Sequence, residues 1–242
     1  MDKMIQAFKA AQDNLVSKLK QDGHKGIMIY GPFSEEYWKS ETKIVICNAI
    51  NYGYEECDEN RLTFDDFKTW KNAKNGRKTV RTVRHSVQFI GCLMKKLEGQ
   101  NNIGINELLW IKSEYYNASN LDYFKKNVTY MNICPVSDTQ FVNKKYSKQD
   151  TNKLNSIVMK YKLEIKHFIE ALAPDIFIFG AKNTGYLLNN FMFDADKQWK
   201  GDSDPVRVGH TLFCYAPLAI FPNYCAYKRH IDRICTEYKN RC

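Results

Sequence analysis

Four short, nearly uninterrupted apolar runs punctuate the chain: Lys43 to Cys47, Val128 to Ile133, Asp175 to Gly180 and Thr211 to Tyr215. Runs of this length without polar alternation suit strands that are covered on both faces. The segments between them follow a different period. Leu154, Ile157, Val158, Tyr161, Ile165, Phe168, Ile169 and Leu172 recur at steps of three and four, which makes one apolar stripe about 100° wide on a helix. Pro174 ends that helix. The same periodicity predicts helices over about residues 2–20, 77–98, 183–192 and 226–239. Strands alternating with helices predict an α/β fold, a three-layer α/β/α sandwich around a central, mostly parallel four-stranded sheet. In "KIVICNAINYGY", residues 43 to 54, the first run stops at Asn48 and opens into Asn, Tyr and Gly. In a parallel sheet that opening is a loop at a strand's carboxyl end, the place where open α/β sheets put their ligands.

Neither a repeat, a low-complexity block nor a Gly/Ser linker interrupts the 242 residues, so one domain over 1–242 is expected. The formal net charge of +9 favours a polyanionic partner, because clustered Lys and Arg raise phosphate affinity through counterion release. The chain is also rich in Lys, Asn, Ile and Tyr, and a merely solvated basic surface is the competing reading. The most basic segment runs from Phe64 to Lys96 and holds Lys68, Lys71, Lys74, Arg77, Lys78, Arg81, Arg84, Lys95 and Lys96, interleaved with Trp70 and His85. A second cluster is Lys144, Lys145 and Lys148; a third is Lys228, Arg229 and Arg233. In a parallel sheet the first two clusters flank the same edge, which would let one nucleic-acid backbone track across the strand ends.

The eight cysteines contain no C-x-x-C spacing, so no metal is expected. Cys47, Cys134 and Cys214 fall inside apolar runs, where a thiol behaves as a small hydrophobe. The amino terminus reads as an amphipathic helix rather than a signal sequence, and with those thiols it predicts a reduced, cytoplasmic setting. No apolar run reaches the ~18 residues of a membrane span. No cofactor motif is present, and a monomer is expected.

"LEIKHFIEALAPDIFIFGAKNTGYLLNNF", residues 163 to 191, "GPFSEEYWKSETKIVICNAINYGY" and "VTYMNICPV", residues 128 to 136, together resemble stretches of the uracil-DNA glycosylase superfamily. The first is similar to its helix, Pro-Asp turn, third strand ending in Gly, and following helix with a Leu-Leu pair. That element speaks for the fold rather than for chemistry. The second resembles the stretch leading into the first motif, a strand followed by the water-activating loop. The third resembles the second strand, whose asparagine reads the flipped base.

The resemblance implies roles for particular residues. Asn132 matches the base-reading asparagine, whose amide offers both a donor and an acceptor to a pyrimidine edge; the structural alternative is a strand-end cap. Asn48 and Asn51 compete for the water-positioning place, with Asn48 preferred. Most branches carry Asp or Glu there and the mismatch-specific branch carries Asn. An amide holds a water in line with the anomeric carbon but cannot take its proton, so the base would depart first through an oxocarbenium-like state. Glu55, Glu56 and Asp58 are carboxylates within reach in sequence, with a solvated loop as the alternative. Tyr52 and Tyr54 stand where a ring would stack on an extruded base. The family's last motif, a His-Pro-Ser type loop after the fourth strand, is matched only by "YAPLAIF" and "IFPNYCAYKR", which lack the histidine. Pro222 and Asn223 remain as candidates for a DNA-wedging loop, and His210 reads as structural.

The implied activity is that of a monofunctional DNA glycosylase acting on double-stranded or locally opened DNA. Departures in both catalytic motifs direct the expectation away from plain uracil and toward a modified base such as a hypermodified cytosine of phage DNA, in an anti-phage role. The alternatives are a catalytically inert reader of modified DNA and a uracil or mismatch repair glycosylase.

Overall fold

The computed structural model describes residues 1–48, 59–61, 63–64, 79–99, 118–136, 148–201, 204–218 and 224–240. Its principal sheet has five strands, one more than the four expected: β2 (Ile44–Asn48), β4 (Val128–Asn132), β5 (Ile176–Phe179), β6 (Val206–Val208) and β7 (Thr211–Tyr215), in the order β4-β2-β5-β7-β6. The four predicted strands are mutually parallel. The extra strand, β6, pairs antiparallel with β7 across the Gly209–His210 turn. It escaped prediction because three residues are too few for a periodic pattern to emerge. A separate parallel pair joins β1 (Ile27–Ile29) to β3 (Glu59–Arg61).

Seven α-helices are described: α1 (Asp2–Gln21), α2 (Thr79–Leu97), α3 (Ala118–Asn127), α4 (Lys148–Lys160), α5 (Lys162–Leu172), α6 (Lys182–Leu188) and α7 (Tyr224–Lys239). The stripe read as one helix through Leu172 is two helices, broken at Tyr161. The apolar register survives the break, so the sequence pattern does not reveal it. Helix α3 is not among the predicted helices: its decapeptide is mostly polar, and Leu121, Tyr123 and Phe124 are the side chains it packs on the core.

The helices sort into two packing groups. Helix α2 packs on α3 and α7, whereas α5 packs on α1 and α4, and α4 also touches α6. Chain order explains the sorting: β4 lies on one side of β2 and β5 on the other, so right-handed crossovers carry the intervening helices to opposite faces. Strands β2, β4, β5 and β7 are buried along their whole length, as uninterrupted apolar strands require. The result is an α/β fold compatible with a three-layer arrangement.

Cys47, Cys92, Cys134, Cys214 and Cys235 are buried reduced thiols. Burial raises the Cys47 and Cys214 thiols above their ordinary range and pushes Cys235 up to about 11, which keeps these groups neutral and unreactive. The outer edge of β4 is not open. Pro32 bridges Thr129, Ile27 bridges Val136, and the Met28 N–H donates to the Pro135 carbonyl at 2.8 Å.

Candidate functional site

The carboxyl ends of the parallel strands bring together residues that are distant in sequence. Strands β2 and β4 pair in register, with Asn48 opposite Asn132. Neighbouring strands lie about 4.8 Å apart and in-register side chains leave the same face, so the two terminal amides stand side by side. Both are buried, with 8% and 2% of their surface exposed. The Ile133 N–H donates to the Asn48 carbonyl at 2.7 Å and the Gly180 N–H to the Cys47 carbonyl at 2.9 Å, extending the ladder past the last strand residues.

Each amide is held by a tyrosine. Tyr130 sits two residues before Asn132 and therefore on the same face; its hydroxyl accepts from Asn48 Nδ2 at 2.6 Å. Asn132 Nδ2 donates to the Tyr30 hydroxyl at 3.2 Å. Tyr30 is itself clamped by α1, where Gln12 Nε2 donates to its carbonyl and the Phe8 ring lies 3.0 Å from where a methyl on Gly31 would sit. Burial holds the Tyr30 phenol well above its ordinary range, with the Asn132 bond pulling the other way. It stays a neutral hydroxyl. Asn48 Oδ1 accepts no hydrogen bond from the described residues. It lies against Gly180, 2.2 Å from the point a methyl there would occupy.

The loop after β7 joins this edge. A methyl at Gly180 would lie 3.5 Å from Leu218 Cβ, and the Leu218 carbonyl contacts His85 Nδ1 at 3.0 Å. A carbonyl only accepts, so Nδ1 carries the proton. His85 is therefore not part of an exposed basic face: from His85 to Met94, α2 is core, and His85 also lies edge-on to Tyr227. Its arrival beside Leu218, 133 positions away, has no local sequence signal.

Helix α2 begins at this edge and ends at the other, so Arg81 occupies a position near the strands' carboxyl ends. Lys228, in the second turn of α7, is exposed; that helix also meets this edge, its Tyr227 hydroxyl donating to the Pro217 carbonyl at 3.4 Å. Asn51, Tyr52, Tyr54, Arg77, Lys78, Lys144, Lys145, Pro222 and Asn223 lie outside the described residues, as do Glu55, Glu56 and Asp58. His210 sits exposed in the turn between β6 and β7.

A cleft of about 680 Å³ lies at the opposite, amino end of the strands between Ser40, Thr42, Met94, Leu97, Tyr123, Asn127 and Tyr238. Tyr123, whose hydroxyl donates to Glu98, is pushed up to about 12 by burial and by that carboxylate. None of the residues singled out from the sequence as site candidates lines it.

Among the described residues, no group of three or more His, Cys, Asp or Glu side chains is placed to hold a metal ion, and no helix is long and apolar enough to cross a membrane. No protein-family model matches the chain, and no curated protein is significantly similar to it.

Proposed function

We propose that this protein is a monofunctional DNA glycosylase of the uracil-DNA glycosylase-like, three-layer type, acting on a modified base in double-stranded or locally opened DNA. The observation that carries the reading is the pairing of Asn48 and Asn132 at the carboxyl edge of the parallel sheet, with Asn48 Oδ1 presented as an acceptor. Two adjacent amides suit a base, whose edge alternates donors and acceptors, and the carboxyl edge of a parallel sheet is where a flipped nucleotide would be received.

On this reading Asn48 orients a water toward the anomeric carbon and Asn132 contacts the extruded base. Neither amide takes a proton, so bond cleavage runs ahead of water attack and the departing base must carry charge away. His85, at the loop after β7, donates its Nδ1 proton to the Leu218 carbonyl, so in the neutral ring Nε2 is an acceptor and supplies no donor to that charge. Slow cleavage of plain uracil and faster release of a base with a better leaving group are expected, consistent with a modified cytosine and a defensive role against phage DNA. The protein is read as a cytoplasmic monomer with no cofactor.

The test is free-base release, followed by mass spectrometry, from plain DNA, uracil-containing DNA and phage DNAs with modified cytosines. One released base, alkali-labile sites in matching amount, and a loss of about 10²-fold or more in Asn48→Ala are expected. The same amide-only chemistry favours a second reading, an inert reader of modified DNA. Salt-sensitive binding to DNA without release of any base would establish that reading and end the first.

A further inference from the structure

Resting on the assignment of Asn48 above, we infer that Tyr130 and Gly180 are positioning residues that determine which end of the Asn48 amide meets the reacting water. The two ends of a carboxamide are nearly equal in shape and opposite in hydrogen bonding: the oxygen accepts and the NH₂ donates. A strand-end asparagine held by shape alone would populate both orientations, and only one presents an acceptor. Here Nδ2 is tied to the Tyr130 hydroxyl at 2.6 Å.

That contact alone does not choose, because a phenol donates as well as accepts. Gly180 breaks the tie. Oδ1 lies 2.2 Å from the point where a Cβ on Gly180 would stand, so it faces the Cα hydrogen that replaces that Cβ. A carbonyl oxygen is weakly attracted to a Cα–H, whereas an NH₂ in the same place would set hydrogen against hydrogen. Tyr130 binds one end of the amide and Gly180 accepts only the other. The oxygen's remaining lone pair is then fixed toward the space at the strand ends. Tyr130 comes from β4 and Gly180 follows β5, on either side of the strand that carries Asn48, so the orientation follows from the strand order.

A double-mutant cycle separates this role from simple packing. A carboxylate has two identical ends, so an aspartate at position 48 has no orientation to select. Tyr130→Phe, which keeps the ring, is expected to lower kcat for base release by about tenfold with KM within about twofold. In the Asn48→Asp background the same change is expected to alter kcat by less than about twofold. Equal losses in both backgrounds, or a change carried by KM, would overturn the inference.

A readout independent of reaction keeps it testable if no DNA is cleaved. In ¹⁵N-asparagine-labelled protein, a side-chain proton of Asn48 should exchange with solvent at least about tenfold more slowly than those of exposed asparagines. That protection should vanish in Tyr130→Phe. Protection that survives the substitution rejects the positioning role. Absence of base release from wild-type protein on every DNA rejects the glycosylase reading instead.

Discussion

Two glycines show how the same substitution tests different things at the residue scale. A Cβ on Gly180 would meet Asn48 Oδ1 at 2.2 Å, the tip of a side chain; a Cβ on Gly185 would meet the rings of Phe179 and Trp199 at 2.6 Å. A side-chain tip can swing away, whereas rings packed edge to face at 4.9 Å between centroids cannot. Gly180→Ala is expected to lower stability by less than about 1.5 kcal/mol and yet lose base release almost as fully as Asn48→Ala. Gly185→Ala is expected to lose about 1–3 kcal/mol while keeping activity in the folded fraction. Urea unfolding and base release on the two variants check both halves. Asn48 was legible in the sequence because it ends an apolar run, whereas Asn132, inside the run from Val128 to Ile133, was legible only through the resemblance of that strand. Their partners were not: Tyr130 and Tyr30 act across 82 and 102 positions, and only strand register and the path of the segment after β1 bring them there.

At the scale of elements, the seam between α1 and α5 gives the fold a definite acid response. Lys18 pairs with Glu164, and Asp22 at the end of α1 accepts from the Tyr161 hydroxyl and pairs with Lys160. Burial is the largest single influence on Glu164 and opposes its ionisation, but the Lys18 bond, the residue's own backbone N–H and the nearby charges of Lys18 and His167 together outweigh it, and the carboxyl sits below its ordinary 4.5. His24, edge-on to Tyr161, is held below its ordinary 6.5 by burial and then by Lys160. A depressed folded-state value means that the unfolded chain binds more protons, so stability rises with pH. The His24 contribution is present above pH 6.5 and lost as pH falls from there through its folded value. The Glu164 contribution is present above 4.5 and lost below it. Urea midpoints against pH should decline in those two windows, His24→Gln flattening the upper one and Glu164→Gln the lower; a profile unchanged by either variant would contradict the linkage. Strands β2, β4, β5 and β7 were readable as apolar runs, whereas the three-residue β1 that follows α1 was not. The helix break at Tyr161 was not, because apolar spacing records which face is buried and not whether the axis continues.

For the whole molecule, the sheet polarity divides the surface. Asn48, Asn132, Gly180 and Leu218 gather at the carboxyl edge, and the 680 Å³ cleft opens at the amino edge. If DNA lies across the carboxyl edge, replacing Arg77, Lys78 and Arg81 together with Ala should weaken binding and reduce the slope of log affinity against log salt by about 1–3. An unchanged slope would move the DNA to another surface. The segment from Ile27 to Phe33 has a further consequence. It supplies the hydroxyl that holds Asn132 and also lies along the outer edge of β4 through Ile27 and Pro32. An uncovered strand edge is a template for pairing with another chain. Peeling this one segment away would therefore do two things together: release the amide and expose a sticky edge. Heat or mild denaturant should silence the protein and start its aggregation in the same step, so turbidity would report the lifetime of the site.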